Sequence, residues 1–218
     1  MRRNLPIEFF FDPVCPWCFI GKRRLEEALD MRPELKAQIR WRAYQLNPDL
    51  PEPGVAQEMY LTSKFGGQRR IEQLQENIRM VGRHAGIDFA FEKIERMPNT
   101  LNAHRLIHLA ADSMRDDVVV EQLFNAFFVD GRDIGHMPTL IEIAKESGLD
   151  PCEVEDSLSC GHYTAQVRQE GARAGVLGVQ GAPCFIFDKQ YLLAGAQEPE
   201  SFFPIFDLVS LPKEDGYL

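Results

Sequence analysis

The stretch that decides the fold lies near the start of the chain and reads Ile7-Glu8-Phe9-Phe10-Phe11-Asp12-Pro13-Val14-Cys15-Pro16-Trp17-Cys18. Its first half is short, rich in aromatic residues and stopped by an Asp-Pro turn signal, which predicts a buried β-strand over residues 7–12. Residues 16–31 then place apolar positions between Lys, Arg and Glu at helical spacing, which predicts an amphipathic helix. The two cysteines therefore stand at a junction between a strand and a helix.

This junction is a favourable place for thiol–disulfide chemistry. The N–H groups at the start of a helix have no partner within the helix, and they stabilise a thiolate on the first cysteine. Pro16 suits the first helical turn, where its missing N–H is not needed. Two intervening residues bring the second sulfur one turn further along the same helix. We therefore predict Cys15 as the nucleophile and Cys18 as the buried resolving thiol.

A single Cys-x-x-Cys pair could also be half of a zinc site, which would need two further ligands. Cys152 and Cys160 do not have the usual spacing of a zinc knuckle, and the histidines are scattered along the chain. We therefore predict no metal site and no organic cofactor. The same two cysteines could form a second redox pair or be unrelated thiols, whereas Cys184 is predicted to be a small buried apolar residue.

The composition is that of a soluble globular protein and limits the partners. The formal net charge of −9 repels phosphate backbones and anionic membrane surfaces, so we expect neither nucleic acid nor membrane as a partner. No stretch approaches the ~20 apolar residues that a membrane span needs. The start Met1-Arg2-Arg3-Asn4 is followed by no signal-peptide core, and an odd number of cysteines is no disulfide scaffold, so we expect a cytoplasmic protein.

The remainder of the chain predicts three further parts. Residues 39–44 alternate apolar and basic side chains, which predicts a second strand and hence a parallel βαβ unit. Residues 55–160 carry helical patterns separated by glycines, which predicts a helical block inserted after that unit. The last part is predicted to contain a helix over about 162–177, two strands at 184–187 and 191–194, and a helix over about 199–209.

A second motif, Gly181-Ala182-Pro183, stands directly before an apolar strand. A cis peptide bond before Pro183 would expose the backbone of Ala182 to a neighbouring cleft, and such a bond costs only about 0.5–1 kcal/mol before proline. An ordinary trans proline at the start of a strand is the alternative, and the motif by itself leaves both open.

The order of strand, Cys-Pro-Trp-Cys, helix, strand, helical insertion, Gly-x-Pro turn and hairpin resembles the DsbA family, which has a thioredoxin fold. The opening motif from Phe11 to Gly21 and the segment Asn99-Thr100-Leu101-Asn102-Ala103-His104-Arg105-Leu106 are similar to the cytoplasmic FrnE-like branch of that family. The resemblance implies an α/β thioredoxin fold with a large all-helical insertion (DsbA-like). Residues 1–54 and 162–218 would form the thioredoxin-like domain, and residues 55–161 the inserted helical domain.

The resemblance also implies roles for individual residues. It implies a cis Pro183 packed beside the two sulfur atoms, with the Ala182 backbone offered to a docked peptide or thiol. It places the helix that carries His104 along the cleft above the active site, which makes His104 a candidate cleft residue. Pro16 and Trp17 lie between the cysteines, and Trp17 offers an apolar platform for a substrate. Trp17 also replaces the histidine of many strong oxidants of this fold, which implies a less oxidising couple.

We therefore predict a cytoplasmic dithiol–disulfide oxidoreductase in which Cys15 and Cys18 exchange disulfides with a protein or a low-molecular-weight thiol, with glutathione as a candidate co-substrate. The alternative comes from the same superfamily, whose glutathione-dependent 2-hydroxychromene-2-carboxylate isomerases and kappa-class glutathione transferases act on small aromatic compounds. Those enzymes typically have a lone serine at the position of Cys15, so the presence of both cysteines favours redox activity. The oligomeric state, monomer or homodimer, stays undecided.

Overall fold

The computed structural model describes residues 3–210, which form a mixed α/β fold around a four-stranded sheet. The strands follow the order β2-β1-β5-β6 and are β1 (Arg3–Phe11), β2 (Leu35–Ala43), β5 (Cys184–Phe187) and β6 (Tyr191–Ala194). Strands β1 and β2 run parallel and are joined by α1 (Pro16–Asp30), while β5 pairs antiparallel with both β1 and β6. This topology confirms the predicted βαβ unit and the hairpin near the end of the chain.

Both strands of the βαβ unit are longer than the sequence pattern predicts. They begin at Arg3 and Leu35, because the parallel ladder continues through polar positions such as Asn4, which lies opposite Lys36. Alternation of apolar residues indicates only the part of a strand that faces the core. It does not predict the polar ends of the strands, although these also pair in the ladder.

Strand β1 is buried on both faces of the sheet, which explains its uninterrupted run of aromatic residues. Phe9 and Phe11 belong to the main core on one face. Phe10 points to the opposite face, where it packs in a smaller cluster with Cys184 and Val179. A strand with one face in water would instead carry polar residues at alternate positions.

The segment between β2 and the last part of the chain is mostly helical. Its helices are α2 (Gln57–Phe65), α3 (Gln68–His84), α4 (Leu101–Ala111), α5 (Asp116–Phe128), α6 (Met137–Glu146) and α7 (Pro151–Ser159). The two-residue strands β3 (Val55–Ala56) and β4 (Arg96–Met97) pair antiparallel in its first half, a contact that the sequence analysis did not predict. After this segment, α8 (Thr164–Val176) precedes β5, and α9 (Phe203–Ser210) follows β6.

One continuous hydrophobic core connects the sheet with the helical segment. The Phe19 ring on α1 lies parallel to the Phe124 ring on α5 with 4.8 Å between centroids, and Phe124 is also 5.8 Å from Phe11 on β1. The division between residues 55–161 and the rest of the chain stays a prediction, since this core does not stop at either boundary. No helix within residues 3–210 is long and apolar enough to cross a membrane.

Candidate active site

The start of α1 places the first cysteine. Cys15 is the residue that precedes the first helical turn, and Pro16 occupies the first position of the helix. The Cys15 carbonyl accepts hydrogen bonds from the N–H groups of Cys18 at 2.9 Å and of Phe19 at 3.4 Å. No side chain caps this helix start, so no side-chain acceptor competes with an anionic sulfur for the positive end of the helix.

The Cys15 side chain is more enclosed than the predicted partly exposed nucleophile, since the residue is only 4% exposed. Its Sγ lies 3.6 Å from the carbonyl oxygen of Ala182. The structure thus brings the Ala182 backbone beside the first sulfur. A cavity borders Cys15 as well. A substrate has to reach Cys15 through this cavity or by a small displacement of the surrounding side chains.

Cys18 lies one turn further along α1 and is fully buried. Burial raises the pKa of the Cys18 thiol well above its ordinary value, and the hydrogen bond and charge of Cys15 raise it further. A backbone hydrogen bond from Asp12 opposes this shift of the Cys18 pKa. The raised pKa keeps the proton on Cys18, and the part of the shift that Cys15 causes disappears once Cys15 is bonded to another sulfur.

The Ala182–Pro183 peptide bond is cis, as the resemblance implied. The Pro183 ring approaches α1 at Gly21, where a Cβ atom would lie 3.1 Å from Pro183 Cγ and 3.3 Å from Phe185 Cζ. Gly21 therefore leaves little room for a side chain and permits the close approach of α1 to the start of β5. Its role depends on this tertiary contact, so no local pattern around the motif reveals it.

Asp12 follows directly after β1 and is a buried carboxyl group whose role the sequence analysis missed, because the Asp-Pro pair indicated only a strand end. Its Oδ2 accepts a hydrogen bond from the Leu46 N–H at 2.7 Å, and the Thr100 side chain forms another. Burial raises the pKa of Asp12 to about 6, although these hydrogen bonds and the charge of Lys64 oppose the shift. Asp12 thus connects the end of β1 to the loop after β2 and to the start of α4.

The structure places His104 inside the protein rather than along the cleft, which corrects the expectation from the resemblance. The residue lies on the inner face of α4, is 2% exposed, and packs edge-on against the Phe11 ring. Burial lowers the pKa of His104 to about 3, while the charge of Glu170 opposes this shift. Nε2 has no hydrogen-bond partner and lies 3.9 Å from Asp12 Oδ1, but a neutral His104 forms no salt bridge there.

Residues around His104 have structural roles that explain the composition of segment 99–106. Asn99 Oδ1 accepts a hydrogen bond from the Leu101 N–H at 2.9 Å and so caps the start of α4. Arg105 is 5% exposed and donates to carbonyl groups of the last turn of α7 at 2.8 and 3.0 Å. This segment therefore fixes α4 against its neighbours and holds Thr100 and His104 next to Asp12.

A cavity of about 230 Å³ opens beside Cys15. Pro16 and Trp17 contribute to one wall, and Trp17 is 39% exposed. Helices α2 and α3 form another wall, and Phe127 and Phe128 of α5 contribute to the lining. No local sequence pattern indicates this cavity, because its walls come from parts of the chain that are far apart in sequence.

The other three cysteines do not form a second redox pair. Cys152 and Cys160 are exposed free thiols at the two ends of α7. At 1.5 Å rise per residue, the helix separates their backbones by about 12 Å, beyond the ~4.4–6.8 Å between Cα atoms that a disulfide allows. Burial raises the pKa of Cys184 to about 11, which fits an inert buried side chain. Over the described part of the chain, no group of three or more potential ligands could hold a metal ion.

Comparisons with known proteins agree with this arrangement. A family model described as "DSBA-like thioredoxin domain" matches residues 6–203. A crystal structure described as a probable DsbA oxidoreductase from Streptomyces coelicolor is 27% identical in sequence and superimposes with a TM-score of 0.89. The match covers 98% of this chain and 93% of the Streptomyces chain.

Two more distant structures share the fold. A 2-hydroxychromene-2-carboxylate isomerase is 15% identical, with 93% of each chain covered and a TM-score of 0.70. The cytosolic disulfide reductase DsbM from Pseudomonas aeruginosa, in a structure with GSH, is 18% identical, with 93% of this chain and 98% of that chain covered and a TM-score of 0.62. The family model and these structures confirm the predicted α/β thioredoxin fold with its helical insertion.

Proposed function

The chain belongs to the DSBA-like thioredoxin domain family, and from this premise we propose that it is a dithiol–disulfide oxidoreductase. The observation that carries the proposal is the pair of thiols on α1. Cys15 precedes the uncapped first turn, and the buried Cys18 lies one turn further on, in hydrogen-bond contact with it. Cys15 borders the cavity, from which a substrate can reach it, whereas Cys18 is fully buried and its pKa is raised, as suits a resolving thiol.

In the reductive direction, the Cys15 thiolate attacks one sulfur of a substrate disulfide. A bond forms between Cys15 and that sulfur, and the other substrate sulfur leaves as a thiolate. Cys18 then loses its proton to solvent and attacks Cys15 Sγ, so that the Cys15–Cys18 disulfide forms and the second substrate thiolate leaves. Two electrons pass from the dithiol to the substrate, and the oxidative direction reverses each step. This exchange requires no metal and no organic cofactor.

The proposed partner is a protein or a low-molecular-weight thiol or disulfide, with glutathione as the candidate co-substrate. The proposed location is the cytoplasm. One observation supports this part of the proposal: the solved neighbour DsbM, in a structure with GSH, is described as a cytosolic disulfide reductase. The net charge of −9 is unfavourable for nucleic acid or an anionic membrane surface as partner.

Reduction of insulin by dithiothreitol tests the proposal. We expect the wild-type protein to accelerate the reaction and Cys15→Ser to abolish the acceleration. Cys152→Ser is the matched control, because it also removes a thiol at the start of a helix, yet an exposed one without a partner within one turn. Equal rates for the wild type and Cys15→Ser would overturn the proposal.

A second candidate function is glutathione-dependent isomerisation or transfer on a small aromatic compound, which the apolar cavity beside Cys15 favours. It predicts glutathione-dependent activity that survives Cys18→Ala, because that chemistry needs no resolving thiol. A redox titration distinguishes the two candidates. A defined Cys15–Cys18 potential within the range of cellular thiol pools supports the oxidoreductase, whereas its absence together with activity of Cys18→Ala supports the isomerase.

A further inference from the structure

The cavity beside Cys15 has an apolar wall that the protein itself leaves partly uncovered. Helix α3 carries Ile71, Leu74 and Ile78 at positions i, i+3 and i+7, so they share one face, and all three border the cavity. Of these, only Ile71 is buried, and Leu74 is 36% exposed. Helix α2, which forms the adjoining wall, contains no buried residue. An apolar group in the cavity would cover this face and remove it from water.

The size of the cavity fits one ring with its substituents. A cavity of ~150 Å³ lined by apolar side chains can hold a benzene molecule, and the volume here is about 230 Å³. Phe91, Phe127 and Phe128 are among the aromatic side chains of the lining. Such a lining is unfavourable for peptide groups and for several charges, because each would lose its hydration without gaining a partner.

A single positive charge stands at this apolar site. Within residues 3–210, Lys64 is the one charged side chain that lines the cavity. Its Nζ donates to Tyr60 Oη at 2.6 Å, and the Tyr60 hydroxyl donates onward to Asn47 Oδ1 at 2.9 Å. In the described part of the chain no carboxylate forms an ion pair with Lys64, whose charge only opposes the raised pKa of the buried Asp12. The ammonium group therefore keeps donors for an anionic ligand.

We propose that this cavity binds a low-molecular-weight thiol or disulfide with an aryl or branched alkyl body and one carboxylate for each sulfur. The body lies against the apolar face of α3, the carboxylate binds Lys64, and the sulfur meets Cys15. This inference rests on the proposed function and names the substrate class of the same site. Glutathione is a poorer occupant, because its two carboxylates, its ammonium and its peptide groups would face the apolar lining.

The reaction follows the steps given for the oxidoreductase. Cys15 forms a mixed disulfide with one half of the substrate, and the other half leaves as a carboxylate-bearing thiolate. Cys18 loses its proton to water and displaces the second half. The enzyme ends as the Cys15–Cys18 disulfide, and the substrate gains two electrons as two free thiolates.

Two nitrophenyl disulfides that differ in their carboxylates test the role of Lys64. The reduced protein is mixed with 5,5′-dithiobis(2-nitrobenzoate) or with bis(4-nitrophenyl) disulfide, which lacks the carboxylates, and release of the coloured thiolate gives the rate. Each rate is divided by that of N-acetylcysteine with the same disulfide. We expect the wild type to prefer the carboxylate probe at least threefold, Lys64→Gln to lose this preference, and Lys64→Arg to keep it. Lys36→Gln, at an exposed lysine of β2, controls for net charge.

Leu74→Trp tests the apolar wall with a side chain that is already 36% exposed and so tolerates enlargement. We expect both nitrophenyl disulfides to react more slowly with this variant, by a larger factor than 2-hydroxyethyl disulfide, which is too small to fill the cavity. Oxidised glutathione is the polar comparison, and we expect its normalised rate with the wild type to be below that of the carboxylate probe.

The failures of the two proposals can be told apart. An equal carboxylate preference in the wild type and Lys64→Gln would overturn the role of Lys64. A higher normalised rate for oxidised glutathione than for the carboxylate probe would overturn the substrate class. If Cys15 reacts no faster than N-acetylcysteine with every disulfide, the proposed oxidoreductase function fails instead.

Discussion

Helices α1 and α7 begin in a similar way and differ in chemistry. Each has a proline in its first turn and a cysteine next to that proline, Cys15 before Pro16 and Cys152 after Pro151. At α1 no side chain caps the first N–H groups. At α7 the Asp150 carboxylate accepts hydrogen bonds from the N–H groups of Cys152 at 2.8 Å and of Glu153 at 3.4 Å. A carboxylate thus occupies the start of α7, whereas no side-chain acceptor occupies the start of α1.

The surroundings of the two cysteines differ as well. Cys18 lies one turn after Cys15, whereas the next cysteine after Cys152 is at the opposite end of its helix. Cys15 also lies beside the Ala182 carbonyl and an apolar cavity, while Cys152 is exposed. A helix start with a cysteine is therefore not a redox site by itself. In the proposed function, the second thiol, the uncapped helix start and the adjoining cavity make the difference.

The largest expected effect comes from removal of Cys18, the second thiol of α1. Removal of Cys160, the second thiol at α7, is the matched control. Cys18→Ala should lower insulin reduction by at least about 100-fold, because the mixed disulfide on Cys15 has no resolving thiol in reach. The variant should accumulate this mixed disulfide, which mass spectrometry detects. Cys160→Ala should leave turnover unchanged, because Cys160 contacts no other cysteine. A comparable loss of turnover in the two variants would remove the distinction between the helices.

The carboxyl groups near the two helix starts also differ, since Asp12 is buried and Asp150 is exposed. Burial raises the pKa of Asp12 from 3.8 to about 6, so the folded state binds the extra proton and stability falls as the pH rises from about 4 to 6. Burial lowers the pKa of His104 from 6.5 to about 3, so the unfolded state binds the extra proton and stability rises over about pH 3 to 6.5. The two contributions oppose each other between about pH 4 and 6.

Removal of one group should expose the pH dependence of the other. Relative to the wild type, Asp12→Asn should gain stability as the pH rises from 4.5 to 6, and His104→Gln should lose stability over the same interval. Each slope should be at most about 1.4 kcal/mol per pH unit, so the change in stability between pH 4.5 and 6 should reach at most about 2 kcal/mol. Urea unfolding at several pH values measures these slopes. Profiles of both variants parallel to the wild type would contradict the opposing contributions of Asp12 and His104.

The close contact between Pro183 and Gly21 of α1 predicts a third effect, on the stability of the protein. An alanine Cβ at Gly21 would lie 3.1 Å from Pro183 Cγ, within a packed core. We expect Gly21→Ala to lose about 1–2 kcal/mol of stability, although alanine favours helix formation over glycine. Gly175→Ala in α8 is the control, because its Cβ meets no atom within 4 Å, and it should gain about 0.5–1 kcal/mol. Chemical unfolding gives the free energy of unfolding of both variants. An equal increase in the two would contradict the prediction, because Pro183 would then move away from the new Cβ without a loss of stability.

The parts of the site that the sequence predicts are those whose signals are local. The cysteines, Pro16 and Trp17 follow from one short motif at a strand end, and Pro183 follows from a motif together with a family resemblance. Asp12, Gly21 and Lys64 were not predicted, because their roles depend on contacts with parts of the chain that are distant in sequence. His104 was expected along the cleft from the family resemblance, which places the helix but not the direction of each side chain, and here the side chain lies next to the buried Asp12.

The smallest expected effect concerns the cap of α7 and tests whether a free helix start alone activates a cysteine. Asp150→Ala removes the acceptor for the Cys152 and Glu153 N–H groups and should cost about 1 kcal/mol of stability. It should also raise the rate at which iodoacetamide alkylates Cys152 by about twofold, because freed donors and the loss of a negative charge favour the thiolate. Asp150→Asn keeps a hydrogen-bond acceptor and removes the charge. Its alkylation rate therefore shows how much of the increase at Cys152 comes from the lost charge and how much from the freed N–H donors. Insulin reduction should stay unchanged in both variants, since Cys152 still has no second thiol and no cavity, and a gain would mean that donors alone make a redox site.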